Sequence, residues 1–353
     1  MNTRISGVIC AVILAFGTMG ISAIQPTGAA PDATARTVAA AEAFLATLDA
    51  QQRAKANPPL NGSTRTVWSN LPTGIEMQVG AKERNGIKLA AMTPAQEKAA
   101  LALLASTLSR DGYDKVMAIV DADQVLEERM GPKRPTTSAI RFGRGEFYVS
   151  ILGKPSPTDK WMIQFGGHHL AVNVTLLGRQ NLLAPTHTGA QPASYTMAGR
   201  TIRPLGDEND KAFGLINALN EQQRKQAILS SDVRNLVLGP GTDGKTIAPE
   251  GVPASTFTPA QRGALVELIR EWVGILGDAA AAAKMTEIQN GLDRTTFAWA
   301  GGLENGKGAY FRIHGPTVFI EYAPQGNAPG NTDHIHTIYR DLSNDYGDRT
   351  ATR

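Results

Sequence analysis

Histidine spacing is where this chain could do chemistry. Of six histidines, four stand in two tight pairs, His168-His169 and His334-x-His336. Each pair follows a run that reads as a β-strand. Neutral imidazoles are good ligands for borderline transition metals, and a pair on one strand supplies two donors at a set separation. Side chains at i and i+2 of a strand share a face, so His334 and His336 can hold one ion together. Neighbouring side chains point to opposite faces. One of His168 and His169 is therefore expected in the site, with His169 favoured, unless a bulge at Gly166-Gly167 turns both inward. Glu321, on the strand leading into the second pair, is the expected carboxylate ligand, and the expected general base if it is not a ligand. Two or three histidines with one carboxylate suit zinc first, then copper, iron or manganese. Asp333 and Asp341 are candidates to hold the far ring nitrogens. His187 and His314 fall in loop-like and turn-like stretches and read as surface residues.

The elements that must position these residues come as an internal duplication. Met92-Thr-Pro-Ala-Gln96 recurs as Phe257-Thr-Pro-Ala-Gln261. In both, Thr suits a helix N-cap and Pro suits the first turn. Each copy runs through two helical stretches into a pair of strands. The pairs are Ala139 to Leu152 with Trp161 to Leu177, and Thr296 to Ile313 with Thr317 to Tyr322. Tyr148 to Gly153 aligns with Tyr310 to Gly315, and Trp161 to Phe165 with Val318 to Tyr322. This makes Gln164 the counterpart of Glu321. The fold class expected is α+β: duplicated helix-plus-antiparallel-sheet units, about 92–177 and 257–341, related by a pseudo-twofold. In that arrangement Gln164, Arg340 and Asp341 face the cleft as substrate-binding candidates. Arg340, Asp341, Asn344, Asp345 and Tyr346 form a polar cluster that reads either as a capped turn or as a substrate-positioning group. A first helix is expected within 31–56, a short strand at Arg65 to Trp68, and another helical stretch over 207–231.

Composition narrows the function classes. Residues 1–30 have Arg4 followed by an apolar run, and small residues at Ala23, Ala29 and Ala30; they read as a secretory signal peptide. Its glycines make it a poor membrane span, although a retained anchor is the alternative. The only cysteine, Cys10, lies within it, so residues 31–353 form one domain with neither thiol nor disulfide. Net charge is +3, or +2 without Arg4, and the basic residues are dispersed, which argues against a nucleic-acid surface. No later run is long and apolar enough to span a bilayer. A small-molecule ligand is the expected partner; the sequence is silent on oligomeric state.

Several motifs mislead. Gly239-Pro-Gly-Thr-Asp-Gly-Lys-Thr246 fits a phosphate-loop pattern, but Pro249, Gly251 and Pro253 deny it the helix on which the phosphate would rest. It reads as a long ordered loop over the cleft. Val116 to Asp121 resembles a Walker B strand but belongs to a helical stretch. No Gly-x-Ser-x-Gly elbow is present. A cupin reading fails because Asp341 stands five residues after His336 without the flanking glycines.

Three segments together resemble the DUF3500 family of bacterial and fungal proteins: Phe165-Gly-Gly-His-His-Leu170, Asn235-Leu-Val-Leu-Gly-Pro-Gly-Thr-Asp-Gly-Lys245 and His334-Ile-His-Thr-Ile-Tyr-Arg-Asp341. Asp345-Tyr346-Gly347 fits as well. The resemblance spans most of the mature chain and implies no activity. The residues themselves point to an exported metal-binding protein, with metal-dependent hydrolysis as its chemistry. A non-enzymatic module for a small ligand or metal, and a copper or iron redox protein, are the alternatives.

Overall fold

The computed structural model describes residues 33–75, 83–231, 233, 235–325 and 332–349. The segment read as an export signal lies outside them. Among the described residues, no helix is long and apolar enough to cross a membrane.

The two Thr-Pro motifs do what their chemistry requires. Thr93 opens helix α3 (Pro94–Thr107) and Thr258 opens helix α7 (Pro259–Val273). Each threonine accepts the backbone N–H of a glutamine three residues on, whose side chain returns to the threonine N–H. α1 (Ala33–Ala46) and α2 (Ala50–Ala56) divide the expected first helix, because Asp49 caps a new start. α4 (Arg110–Met130), α5 (Gly206–Ala218), α6 (Glu221–Ala227) and α8 (Asp278–Asn290) complete the helices. Val116 to Asp121 lies inside α4, and no helix follows the phosphate-loop pattern. Arg65 to Trp68 is turn and irregular chain rather than a strand.

The strands are β1 (Ile87–Lys88), β2 (Tyr148–Leu152), β3 (Trp161–Gly167), β4 (Leu170–Leu177), β5 (Gln180–Leu182), β6 (Thr186–Ala190), β7 (Tyr195–Met197), β8 (Arg200–Ile202), β9 (Val252–Pro253), β10 (Thr296–Gly301), β11 (Ala309–His314), β12 (Phe319–Pro324) and β13 (Ile335–Arg340). One antiparallel sheet runs β1-β2-β3-β4-β6-β13-β12-β11-β10-β9, with β5 on β4 and β7-β8 as a separate hairpin. The order reads alike from both ends. Gly86 and Gly251, each at φ near +100°, precede β1 and β9; a side chain there would collide with the carbonyl of Val149 or of Phe297. Leu89 N–H then donates to Phe147, and Ala254 N–H to Thr295, both at 2.8 Å.

By place in the sheet, β2 therefore answers to β10, β3 to β11 and β4 to β12. Tyr148 stands on β2 and Tyr310 on β11, which do not hold mirrored places in this order. The partner of Glu321 by position is Asn173, not Gln164. The strands repeat one apolar alternation, and a pattern of period two cannot count hairpins.

The sheet has two unlike faces. Val149, Ile163, Val172, Ile320, Phe311 and Phe297 belong to the main core with the helices. The other face carries Ser150, Gln164, Asn173, His187, Glu321 and Arg312, all buried. Loops cover it: Gln164 donates to Arg65 O, Glu321 accepts from Val237 and Leu238, and Arg312 pairs with Glu250.

Candidate metal centre

His168 and His169 are not on a strand. They are the two central residues of the turn between β3 and β4, since Gly167 pairs with Leu170. The turn puts His169 at φ 64°, the left-handed region, which costs a side-chain-bearing residue on the order of 1 kcal/mol. Its N–H donates to Asn70 O at 3.1 Å. No bulge is needed to bring both rings to one end of the sheet. They lie 3.6 Å apart, centroid to centroid.

His336 stands on the polar face of β13, between Ala323 on β12 and Gly189 on β6. His334 immediately precedes β13. The Nε2 of His334 lies 2.8 Å from that of His169 and 3.0 Å from that of His336. Gly189 makes the room. A Cβ there would sit 3.1 Å from His336 Cδ2, 3.3 Å from His169 Cβ and 2.8 Å from Ile335 O.

Hydrogen bonds cannot satisfy this triangle. An imidazole Nε2 holds either one in-plane proton or one in-plane lone pair. His334 Nε2 faces two other nitrogens and can serve only one. A cation serves all three. Nitrogens around a tetrahedral zinc are about 3.4 Å apart at bond lengths near 2.1 Å, so the rings need part by only a few tenths of an ångström. Burial and the neighbouring rings hold His169 and His336 well below the usual imidazole range, and His334 falls to about 4. The neutral form is the one that binds metal.

Asp123 adds a second set. Its Oδ1 lies 2.6 Å from His168 Nδ1, and its Oδ2 accepts Gly143 N–H at 2.7 Å. Asp123, His168 and His169 form a further group with ligand atoms within 4.8 Å of one another. A carboxylate on one ring nitrogen orients the imidazole and directs the other nitrogen outward.

A family model for a protein of unknown function, DUF3500, matches residues 30–348. The chain belongs to the DUF3500 family. No curated protein and no solved structure matches it.

In this DUF3500 protein, His187 corrects the reading of it as a surface residue. It lies in β6, is 0 % exposed, and neither ring nitrogen has a hydrogen-bond partner among the described residues. Its ring stands edge-on to His336, with centroids 5.0 Å apart. Burial takes its pKa to about 3. His314 ends β11 and is half-buried against Phe319.

The other sequence candidates are engaged elsewhere. Glu321 does not reach the histidines: its oxygens accept Tyr310 O–H (2.5 Å), Val237 N–H (2.9 Å) and Leu238 N–H (2.7 Å). Both of its oxygens are engaged by the sheet and the covering loop. Gln164 donates to Arg65 O and Asn173, and accepts from Asn85. Arg340 lies four residues beyond His336, about 13 Å at ~3.3 Å per residue. It donates to Leu238 O, Gly239 O, Asp243 and Asp345, pinning the loop with the phosphate-like pattern. Asp341 takes Lys284 at 2.6 Å and the Ser343 hydroxyl rather than an imidazole. The carboxylate that does hold an imidazole, Asp123, carried a sequence signal. It continues the apolar stripe Val116, Ile119, Val120, Leu126 on α4, where an acid is out of place.

Proposed function

We propose that this DUF3500 protein is an exported metal-binding protein whose ion is held by His169, His334 and His336. The observation that carries this reading is the shared Nε2 of His334, which two neighbouring nitrogens approach and one proton cannot serve. Three neutral nitrogen ligands favour zinc, with copper and iron as competitors, and leave a position for water or substrate. The mirrored sheet order supports a duplicated unit, with the centre placed where its halves meet.

Metal-dependent hydrolysis is the chemistry the surroundings favour. The ion would supply Lewis acidity towards water. His168, oriented by Asp123 and packed at a tilt against His169, is the proton-transfer group in this reading, in place of Glu321.

Elemental analysis of untagged, chelator-free protein tests the reading. The expected result is about one ion per chain, lost in His169→Ala, His334→Ala and His336→Ala and kept in His314→Ala. No metal after incubation with zinc, copper, manganese and iron, or equal content in all four variants, would overturn it.

A further inference from the structure

The two central strands carry the same two-residue step, His187-Thr188 on β6 and His336-Thr337 on β13. Thr188 pairs with Thr337 across the ladder, and their hydroxyls lie 2.6 Å apart. Because the strands are antiparallel, the histidine before each threonine falls on the polar face, one on either side of that pair. This is why the rings of His187 and His336 meet edge-on.

The two positions differ in what they can build. Two residues before His336 stands a second donor, His334. Two residues before His187 stands Pro185, with neither a ligating side chain nor an N–H. Among the described residues, no set of three ligand atoms within 4.8 Å of one another includes His187. His187 therefore forms no metal site of its own and does not join the three nitrogens in this arrangement.

Its burial still calls for a partner. Across the ladder it faces Ala171 on β4 and Ile338 on β13, whose side chains offer none. Gln164, Asn173, Glu321 and Arg340, on the same face, are each tied by two or more hydrogen bonds. Both nitrogens of His187 are buried and unbonded among the described residues. Such an imidazole weakens the fold where an apolar side chain of its size would not. A molecule bound at the centre would offset that cost.

Charge indicates its class. A divalent ion on three neutral imidazoles brings two positive charges. Asp123 already accepts from Gly143 and sits on His168, and Glu321 and Asp341 are engaged elsewhere. An anion in the ion's open position supplies the balance, and a neutral imidazole beside it has one N–H to give. Resting on the ion site proposed above, we infer that His187 is a further binding residue of that centre: its ring N–H donates to a small oxyanion, of the carboxylate or phosphate class, bound there.

Cobalt(II), which reports on its ligands through its visible spectrum, tests this in the full native chain, His187→Leu and His187→Gln. Each is loaded and titrated with acetate, with inorganic phosphate and with neutral acetamide. All three chains are expected to take up cobalt equally. At least one oxyanion should change the native spectrum at concentrations where acetamide does not, and which one does so identifies the class. His187→Leu should weaken that oxyanion about tenfold, as loss of one hydrogen bond to a charged group does, and His187→Gln, which keeps an N–H donor, should recover most of it. The inference is overturned if the loaded native chain responds to neither oxyanion at concentrations on the order of 10 mM. It is also overturned if acetamide binds as well, if His187→Leu binds like the native chain or loses cobalt, or if His187→Gln is as weak as His187→Leu. A native chain that takes up no cobalt and no other metal overturns the ion site itself, and this inference with it.

Discussion

Two polar clusters meet the same face of strand β13, one buried and one partly buried, and they differ in a way that separates structure from function. At one end, every nitrogen of Arg340 has a partner. Next to it, the carboxylate of Glu321 accepts three donors. At the other end, three imidazole nitrogens crowd one another, and His187 has no hydrogen-bond partner among the described residues. A saturated network holds the fold in one arrangement. A partly buried cluster that cannot satisfy itself keeps its capacity for a ligand.

The contrast breaks most visibly if Arg340 is removed. Arg340→Ala leaves Asp243, Asp345 and two loop carbonyls without their cation. Breaking a buried charge network from one side costs about 3–5 kcal/mol, read by denaturant unfolding. Metal affinity, measured where the variant is folded, should stay within about threefold, because the sites are too far apart to couple strongly. A variant with native stability, or one that loses metal selectively, would merge the two ends into one system.

The histidine end should answer in reverse. His336→Ala is expected to lower metal affinity by about 100-fold or more in chelator competition, with a change of about 1 kcal/mol or less in metal-free stability. Gly189→Ala presses a methyl against both ring supports and a carbonyl. It should cost both, about 1–3 kcal/mol of stability from overpacking and a large part of the affinity. Asp123→Ala removes an orienting group rather than a ligand, and should cost about 10–100-fold in affinity. If Asp123→Ala abolished binding outright, the carboxylate would be a ligand in its own right.

What the sequence made legible follows from the range of each interaction. The two capping boxes are local, three residues wide, and Thr93 and Thr258 announce them. The i, i+2 spacing placed His334 beside His336, and the pairs converge as their count implied. The errors are all matters of tertiary address. His168-His169 was read as strand because Gly-Gly-His-His lacks the Asn-Gly of a familiar turn. β6 was missed because Thr186 to Ala190 is short, polar and set between Pro185 and Pro192, so its burial comes from being the central strand. Glu321 is acidic, on the right strand and on the right face. Only the loop amides of Val237 and Leu238, over eighty residues away in sequence, assign it to holding the cover in place.

Acid supplies the finest test of the comparison. His187 has a folded pKa of about 3 against about 6.5 when exposed in the unfolded chain. Between those values the unfolded state binds the extra proton, so stability is full above pH 6.5 and falls as pH drops towards 3. At pH 5.5, one unit below the unfolded value, each such imidazole costs about 1.4 kcal/mol. His334, at about 4, acts in the same direction over a narrower window. His187→Leu fills the site without a titrating group, so the loss of unfolding free energy between pH 7.5 and 5.5 should shrink by roughly that 1.4 kcal/mol. Arg340 keeps its charge throughout, but burial pushes its partner Asp345 up to about 6, so that end of β13 should gain rather than lose stability as pH falls through this window. An unchanged pH slope in His187→Leu would mean that the imidazole is already partnered in solution, and the two ends of β13 would then differ less than their hydrogen bonds indicate.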